Sequence, residues 1–215
     1  MNTYRPTWAE IDLEAIKYNY KAIKKTLSPD VNIVAVVKAN AYGHGSVEVS
    51  KALEQEKAFY LGVATLDEAV ELREAGINVP ILILGSIFPH EAEVACNNNI
   101  TLTLCNDELL KVLNENNLNV KVHIEVDTGM GRIGVWHEDA LDFVKRVKES
   151  SNRNIEIEGI YTHFSIAGRD KFFTQYQIDA FEHLISKLES EGIHIPLKHA
   201  ANSIALIDWK KSHLN

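Results

Sequence analysis

Seven short, β-rich apolar runs alternate along the chain with longer stretches of helical period, and this alternation constrains the fold more than any other feature. The runs are Val31–Val37, Phe59–Ala64, Pro80–Leu84, Thr101–Cys105, Val120–Val126, Ile155–Thr162 and Leu197–Ala201. Amphipathic segments lie between them. In Glu14–Leu27 the residues Ile16, Tyr20, Ile23 and Leu27 share a face, as do Ala180, Phe181, Leu184, Ile185 and Leu188 in Tyr176–Leu188. Thr65 with Glu68 forms a capping-box pattern, Gly76 stands where that helix should stop, and Pro89 reads as a first-turn proline. Strands flanked by helices at this spacing fit either a doubly wound sheet or a (β/α)8 barrel, and periodicity does not separate the two. Closing a barrel takes eight strands, so seven followed only by residues 204–215 leave it one short. The segment Thr7–Leu13 is extended in character and has no evident partner in such a barrel. Asn97 to Asn99 and Asn114 to Asn119 are turn-rich loops.

With 46% of 215 residues hydrophobic, the chain has enough apolar surface for one substantial core. A formal net charge of −8 and a pI near 5.6 argue against nucleic acid or an anionic membrane as partner, because either favours a clustered basic surface. Small molecules fit better. Cys96 and Cys105 show no metal-ligand spacing and are expected to be reduced and packed in the core of a cytoplasmic protein, and no metal is expected. Neither a signal-peptide core nor a run able to span a bilayer is present in the sequence.

In parallel α/β architectures functional residues collect at the C-terminal ends of strands. The first strand delivers Lys38 into Ala39-Asn40-Ala41-Tyr42-Gly43-His44-Gly45. A lysine there is either partly desolvated, with an amine made available for a Schiff base or proton abstraction, or it snorkels to solvent. The fifth strand runs into Asp127-Thr128-Gly129-Met130-Gly131-Arg132-Ile133-Gly134, where glycines permit a tight turn and Arg132 offers a planar fork to a carboxylate or phenolate. An exposed, salt-bridging arginine is the plainer alternative. The sixth strand ends at His163, and the seventh in Lys198-His199-Ala200-Ala201-Asn202-Ser203, where Ser203 either donates to a ligand or caps the next helix.

Ala35-Val36-Val37-Lys38-Ala39-Asn40-Ala41-Tyr42-Gly43-His44-Gly45 resembles the pyridoxal-phosphate attachment signature of alanine racemases, and the later strand ends resemble the same family in order and spacing. The resemblance implies a TIM-type (β/α)8 barrel over residues 14–215, truncated after its seventh strand, with residues 1–13 an N-terminal strand that joins a further β domain. It implies pyridoxal 5′-phosphate as cofactor, an amino acid as substrate and a head-to-tail homodimer when intact. Lys38 would carry the cofactor as a Schiff base and act as one of two bases. Tyr42 and Ser203 would bind the phosphate, His163 would lie beside the ring, and Arg132 would meet the phenolic oxygen and the substrate carboxylate. His199 would support the shell behind Ser203, and His44 keeps a structural loop role. Many family members carry at the position of Glu125 a lysine that becomes carbamylated and holds the arginine. Glu125 supplies a carboxylate directly, so it is expected to pair with Arg132.

The second base, a tyrosine of the partner's C-terminal domain in the family, is not within these 215 residues, nor is the arginine facing the pyridine nitrogen. The chain alone is therefore expected to bind the cofactor weakly and not to racemise efficiently. Two other readings fit parts of the pattern: a single-domain pyridoxal-phosphate-binding protein of cofactor homeostasis, and a non-catalytic barrel fragment.

Overall fold

The computed structural model describes residues 7–215. Its strands are β1 (Val34–Val36), β2 (Tyr60–Val63), β3 (Ile81–Ile83), β4 (Thr101–Leu104), β5 (Val120–Asp127), β6 (Val135–Trp136), β7 (Ile155–Thr162) and β8 (Leu197–His199). The helices are α1 (Leu13–Lys24), α2 (Lys38–Tyr42), α3 (Ser46–Gln55), α4 (Leu66–Glu74), α5 (Ala92–Asn97), α6 (Asp107–Glu115), α7 (Ala140–Lys148), α8 (Lys171–Ser190) and α9 (Ser203–Asp208). Neighbouring strands are parallel and run in the order β1-β2-β3-β4-β5-β7-β8, with β6 paired to β5 alone. This is a curled sheet of seven strands wrapped by helices, a (β/α)8 barrel without its eighth strand, as expected from the sequence.

The seven expected strands are all present, and their burial follows from their neighbours. Central strands are covered by sheet and helix together, so β2, β3 and β4 are buried along their whole length. The edge strands are shorter than their apolar runs. Val31–Val37 pairs only over Val34–Val36 and Leu197–Ala201 only over Leu197–His199, both partly exposed, because each has a partner on one side alone. The short β6 was not evident from the sequence, since two residues leave no period to read. It forms because the Asp127 carboxylate accepts from the Gly129 and Gly131 N–H groups, which folds the loop back beside its own strand. Gly134 is required there: its φ is +115°, and a Cβ would lie 2.7 Å from the Asp127 nitrogen.

Helix starts follow their capping residues. Asp12, Asn106, Asp170 and Asn202 each accept the N–H three residues on, at 2.8 to 3.0 Å, and so begin α1, α6, α8 and α9. Pro89 opens a single 3₁₀ turn ahead of α5. Residues 7–12 form no strand, Leu13 already belongs to α1, and residues 1–6 of the expected N-terminal strand lie outside the described residues.

The turn after β1 departs from ordinary backbone geometry. Within α2, Ala39, Asn40 and Ala41 have φ of 52°, 55° and 50°, and Tyr42 follows at 55°, all left-handed. For L-residues this conformation costs roughly 1–2 kcal/mol each, so it persists only where surrounding contacts impose it.

Candidate active site

Lys38, Tyr42, His163, His199 and Ser203, delivered by the ends of β1, β7 and β8, line one cavity of about 550 Å³ that runs along the gap between the open edges of the sheet. Its remaining walls are largely aliphatic, and it continues between the open edges of β1 and β8 to Ile16 and Tyr20 of α1. Lys38 is half-buried and Tyr42 is exposed. Ser203 does not cap α9, contrary to the plain alternative for it. The cap is Asn202, whose side-chain oxygen accepts from the Ala205 N–H at 3.0 Å, and Ser203 is an exposed residue of the cavity lining. His44 is structural, its Nδ1 lying 2.8 Å from the Ala41 carbonyl and closing the left-handed turn.

Arg132 and Glu125 do not pair. Arg132 is exposed on the loop after β5 and forms no ion pair among the described residues. Glu125 is 2% exposed, and its Oε2 has no hydrogen-bond partner. Burial pushes its carboxyl up to about 7, against the pull of the Tyr161 hydroxyl and of Arg132. The expected pairing needs a fixed anion, whereas Glu125 is buried on β5 beside Tyr161 of β7, where burial favours its protonated form. Arg132 does act on another site residue: burial first, then the Arg132 and Lys38 cations, lower the pKa of His163 and favour its neutral form.

His199, His123 and Tyr161 bring a polar network to the cavity wall, and of its members only His199 was expected from the sequence. His199 Nε2 lies 2.9 Å from His123 Nδ1, and His123 Nε2 lies 3.3 Å from the Glu158 carboxylate. Lys121 and the Tyr60 hydroxyl also donate to Glu158. Although burial opposes it, these donors pull the Glu158 carboxyl down to about 2, so it is ionised and can only accept. His123 must then carry its proton on Nε2. With burial holding His199 well below its usual range and neutral, the proton between the imidazoles belongs to His199 Nε2 whenever His123 is neutral as well. Tyr161 stacks on His199 with ring centroids 4.6 Å apart and shares a hydrogen bond with Thr103. Gly159 makes room for this arrangement, since a Cβ there would sit 2.6 Å from His123 Nδ1. A signal for the network existed in β5, where Lys121, His123 and Glu125 occupy alternate positions of a strand whose other face is entirely aliphatic. On a strand buried on both faces, that alternation marks a polar barrel interior.

Cys96 and Cys105 are unpaired and half-buried, with burial raising both thiols. No group of three or more potential ligands that could hold a metal occurs among the described residues, and no helix there is long and apolar enough to cross a membrane.

A parallel, barrel-like sheet with a half-buried lysine, hydroxyls and imidazoles along one largely aliphatic cavity is a (β/α) barrel with a candidate small-molecule site. Residues 11–215 match the family described as alanine racemase, N-terminal domain, and the chain belongs to that family. It is 47% identical to the alanine racemase of Methanococcus maripaludis over 98% of its length and 57% of that protein's, and 46% identical to that of Halothermothrix orenii over 98% and 56%. Among solved structures, alanine racemase of Clostridium difficile 630 in complex with cycloserine superposes with a TM-score of 0.92 at 36% identity, covering 100% of this chain and 60% of that one. Alanine racemase of Bacillus anthracis with bound L-Ala-P gives 0.87 at 39% identity, covering 96% and 54%. The chain thus spans little more than half the length of these relatives.

Proposed function

We propose that the protein to which these residues belong is a pyridoxal-phosphate-dependent amino-acid racemase acting on alanine, and that this chain carries the cofactor's attachment site and one of two bases. The observation that supports this best is the convergence of Lys38 and Tyr42 after β1, His163 after β7 and Ser203 after β8 on one cavity. The donor set suits the cofactor: an amine for attachment, two hydroxyls for a phosphate, and aliphatic walls for a flat ring. When bound, pyridoxal phosphate supplies an electron sink that acidifies the α-proton of an attached amino acid.

In this reading Lys38 holds the cofactor through its amine and takes or returns the α-proton on one face. Tyr42 and Ser203 donate to the phosphate. His163 is neutral, which keeps a second cation away from the amine of Lys38 and lets the imidazole pack beside the ring. Arg132, without an acidic partner among the described residues, has its guanidinium available for the substrate carboxylate. His199 lines the cavity beside Ser203 and supports the shell around it, itself held by His123 and Tyr161. Glu125 supports the interior of β5 without holding Arg132. The opposite face of the α-carbon takes a second base from residues beyond this chain, supplied within a homodimer. Residues 7–12, with Trp8 74% exposed and no strand pairing to the barrel, are the segment offered to a further β domain.

The test is an absorbance titration of the chain with pyridoxal phosphate beside Lys38→Ala, together with a D-alanine assay. A visible band present only with Lys38, and no D-alanine formed by the chain alone, is the expected result. A band of equal strength in Lys38→Ala would remove the attachment role, and efficient turnover by the 215 residues would remove the need for a second base from elsewhere.

A further inference from the structure

The left-handed turn after Lys38 is pinned at two ends by different devices. At the far end the Asn40 side chain accepts from the Ser46 N–H at 2.8 Å, and the Asn40 carbonyl accepts from Gly43 and Gly45 at 3.0 Å. At the near end the N–H of Ala39, the peptide directly after Lys38, donates to Glu68 Oε1 at 2.7 Å. Glu68 Oε2 accepts from the Ala64 N–H, also at 2.7 Å, and Ala64 follows the last residue of β2. A capping-box glutamate ordinarily returns its carboxylate to the N–H of its own cap residue. Thr65 does accept the Glu68 N–H, at 3.4 Å, but the carboxylate is turned away from Thr65 to bridge two neighbouring strand ends. Both bonds are short and charge-assisted.

We propose that Glu68 is a positioning residue that locks the peptide following Lys38 against the end of β2 and so sets the direction in which the Lys38 amine enters the cavity. The importance of that direction rests on the function proposed above; the clamp itself does not. A glutamine at this position has one oxygen and one NH2 group, so it can satisfy only one of the two N–H donors. Thr65→Ala removes the cap of α4 and leaves both carboxylate bonds in place.

Hydrogen–deuterium exchange over residues 38–45 in the unmodified chain, Glu68→Gln and Thr65→Ala reads the clamp without any cofactor. Glu68→Gln is expected to speed exchange there by about tenfold or more, the effect of losing one hydrogen bond to a charged group, with little change in Thr65→Ala. Equal exchange in Glu68→Gln and the unmodified chain, or an equal effect of Thr65→Ala, overturns the proposal. Should Glu68→Gln not fold, NMR of the unmodified chain decides the matter. The Ala39 and Ala64 amide protons are expected to show scalar coupling across the hydrogen bond to the Glu68 carboxylate carbon, and its absence at either amide overturns the clamp. With pyridoxal phosphate added, the Lys38-dependent visible band is expected to change its pH midpoint in Glu68→Gln and not in Thr65→Ala, and an unmoved midpoint overturns the positioning role. Absence of any such band in the unmodified chain counts against the cofactor reading, while the exchange and amide measurements still decide Glu68.

Discussion

Glu125 shows how far a single side chain can depart from what its position in the sequence implies. It is buried with an unpartnered oxygen, and its pKa is raised from 4.5 to about 7. A carboxyl favoured in its protonated form by folding supports the fold fully below pH 4.5, and that support is lost as pH rises through about 7. The difference amounts to about 3 kcal/mol for a shift of this size. Urea unfolding at pH 5 and pH 8 is therefore expected to show a smaller loss of stability with rising pH in Glu125→Gln than in the unmodified chain. The same loss in both would show that Glu125 does not titrate in this window. Gly159 carries a prediction of a different kind. Gly159→Ala places a methyl group against the His123 ring, and the displaced imidazole is expected to cost about 1–3 kcal/mol of stability in a denaturant titration. An unchanged midpoint would mean that the ring moves freely. Neither effect could be read from the sequence, because each depends on what the barrel brings within reach of that one position.

Among the elements, strands and helices were legible wherever a period lasted long enough to read. α8 contains the amphipathic stretch seen from Tyr176 to Leu188, and β7 coincides with its apolar run from Ile155 to Thr162. α2 and β6 were not legible, since the left-handed turn and the two-residue strand are imposed by hydrogen bonds to Glu68, Asn40 and Asp127. Arg73 joins elements in a similar way. From the last turn of α4 its guanidinium donates to the carbonyls of Ile77 and Val79 at 2.8 Å and of Asn98 and Asn99 at 3.1 Å, tying together the loops that lead into β3 and β4. Arg73→Met leaves those carbonyls without their donor and is expected to lower unfolding stability by about 2–4 kcal/mol. Arg73→Lys should restore only part of it, because an ammonium cannot fork to four acceptors. Full recovery with lysine would show that charge alone suffices.

Over the whole molecule, the two open sheet edges decide where the chain is least secure. β1 and β8 each have one strand neighbour, whereas β3 and β4 lie within the sheet and are fully buried. Amides of Val34–Val36 and Leu197–His199 are expected to exchange faster than those of Ile81–Ile83, and equal protection would indicate that another segment covers the edges. Lys38 and Ser203 stand beside those edges, so the order of the site is coupled to the order of the edges. What the sequence by itself determined is the alternation of strand and helix, and the placing of Lys38, Tyr42, His163, His199 and Ser203 at strand ends, because hydrophobic period and local capping act over a few residues. What only the tertiary structure decided is which polar groups meet: Glu68 with Ala39, His123 with His199 and Glu158, and Glu125 with no partner for its Oε2. Those contacts join residues 29 to 76 positions apart, and laying the strands side by side in one parallel sheet is what brings them within hydrogen-bond distance or, for Glu125, shuts a carboxylate away from water.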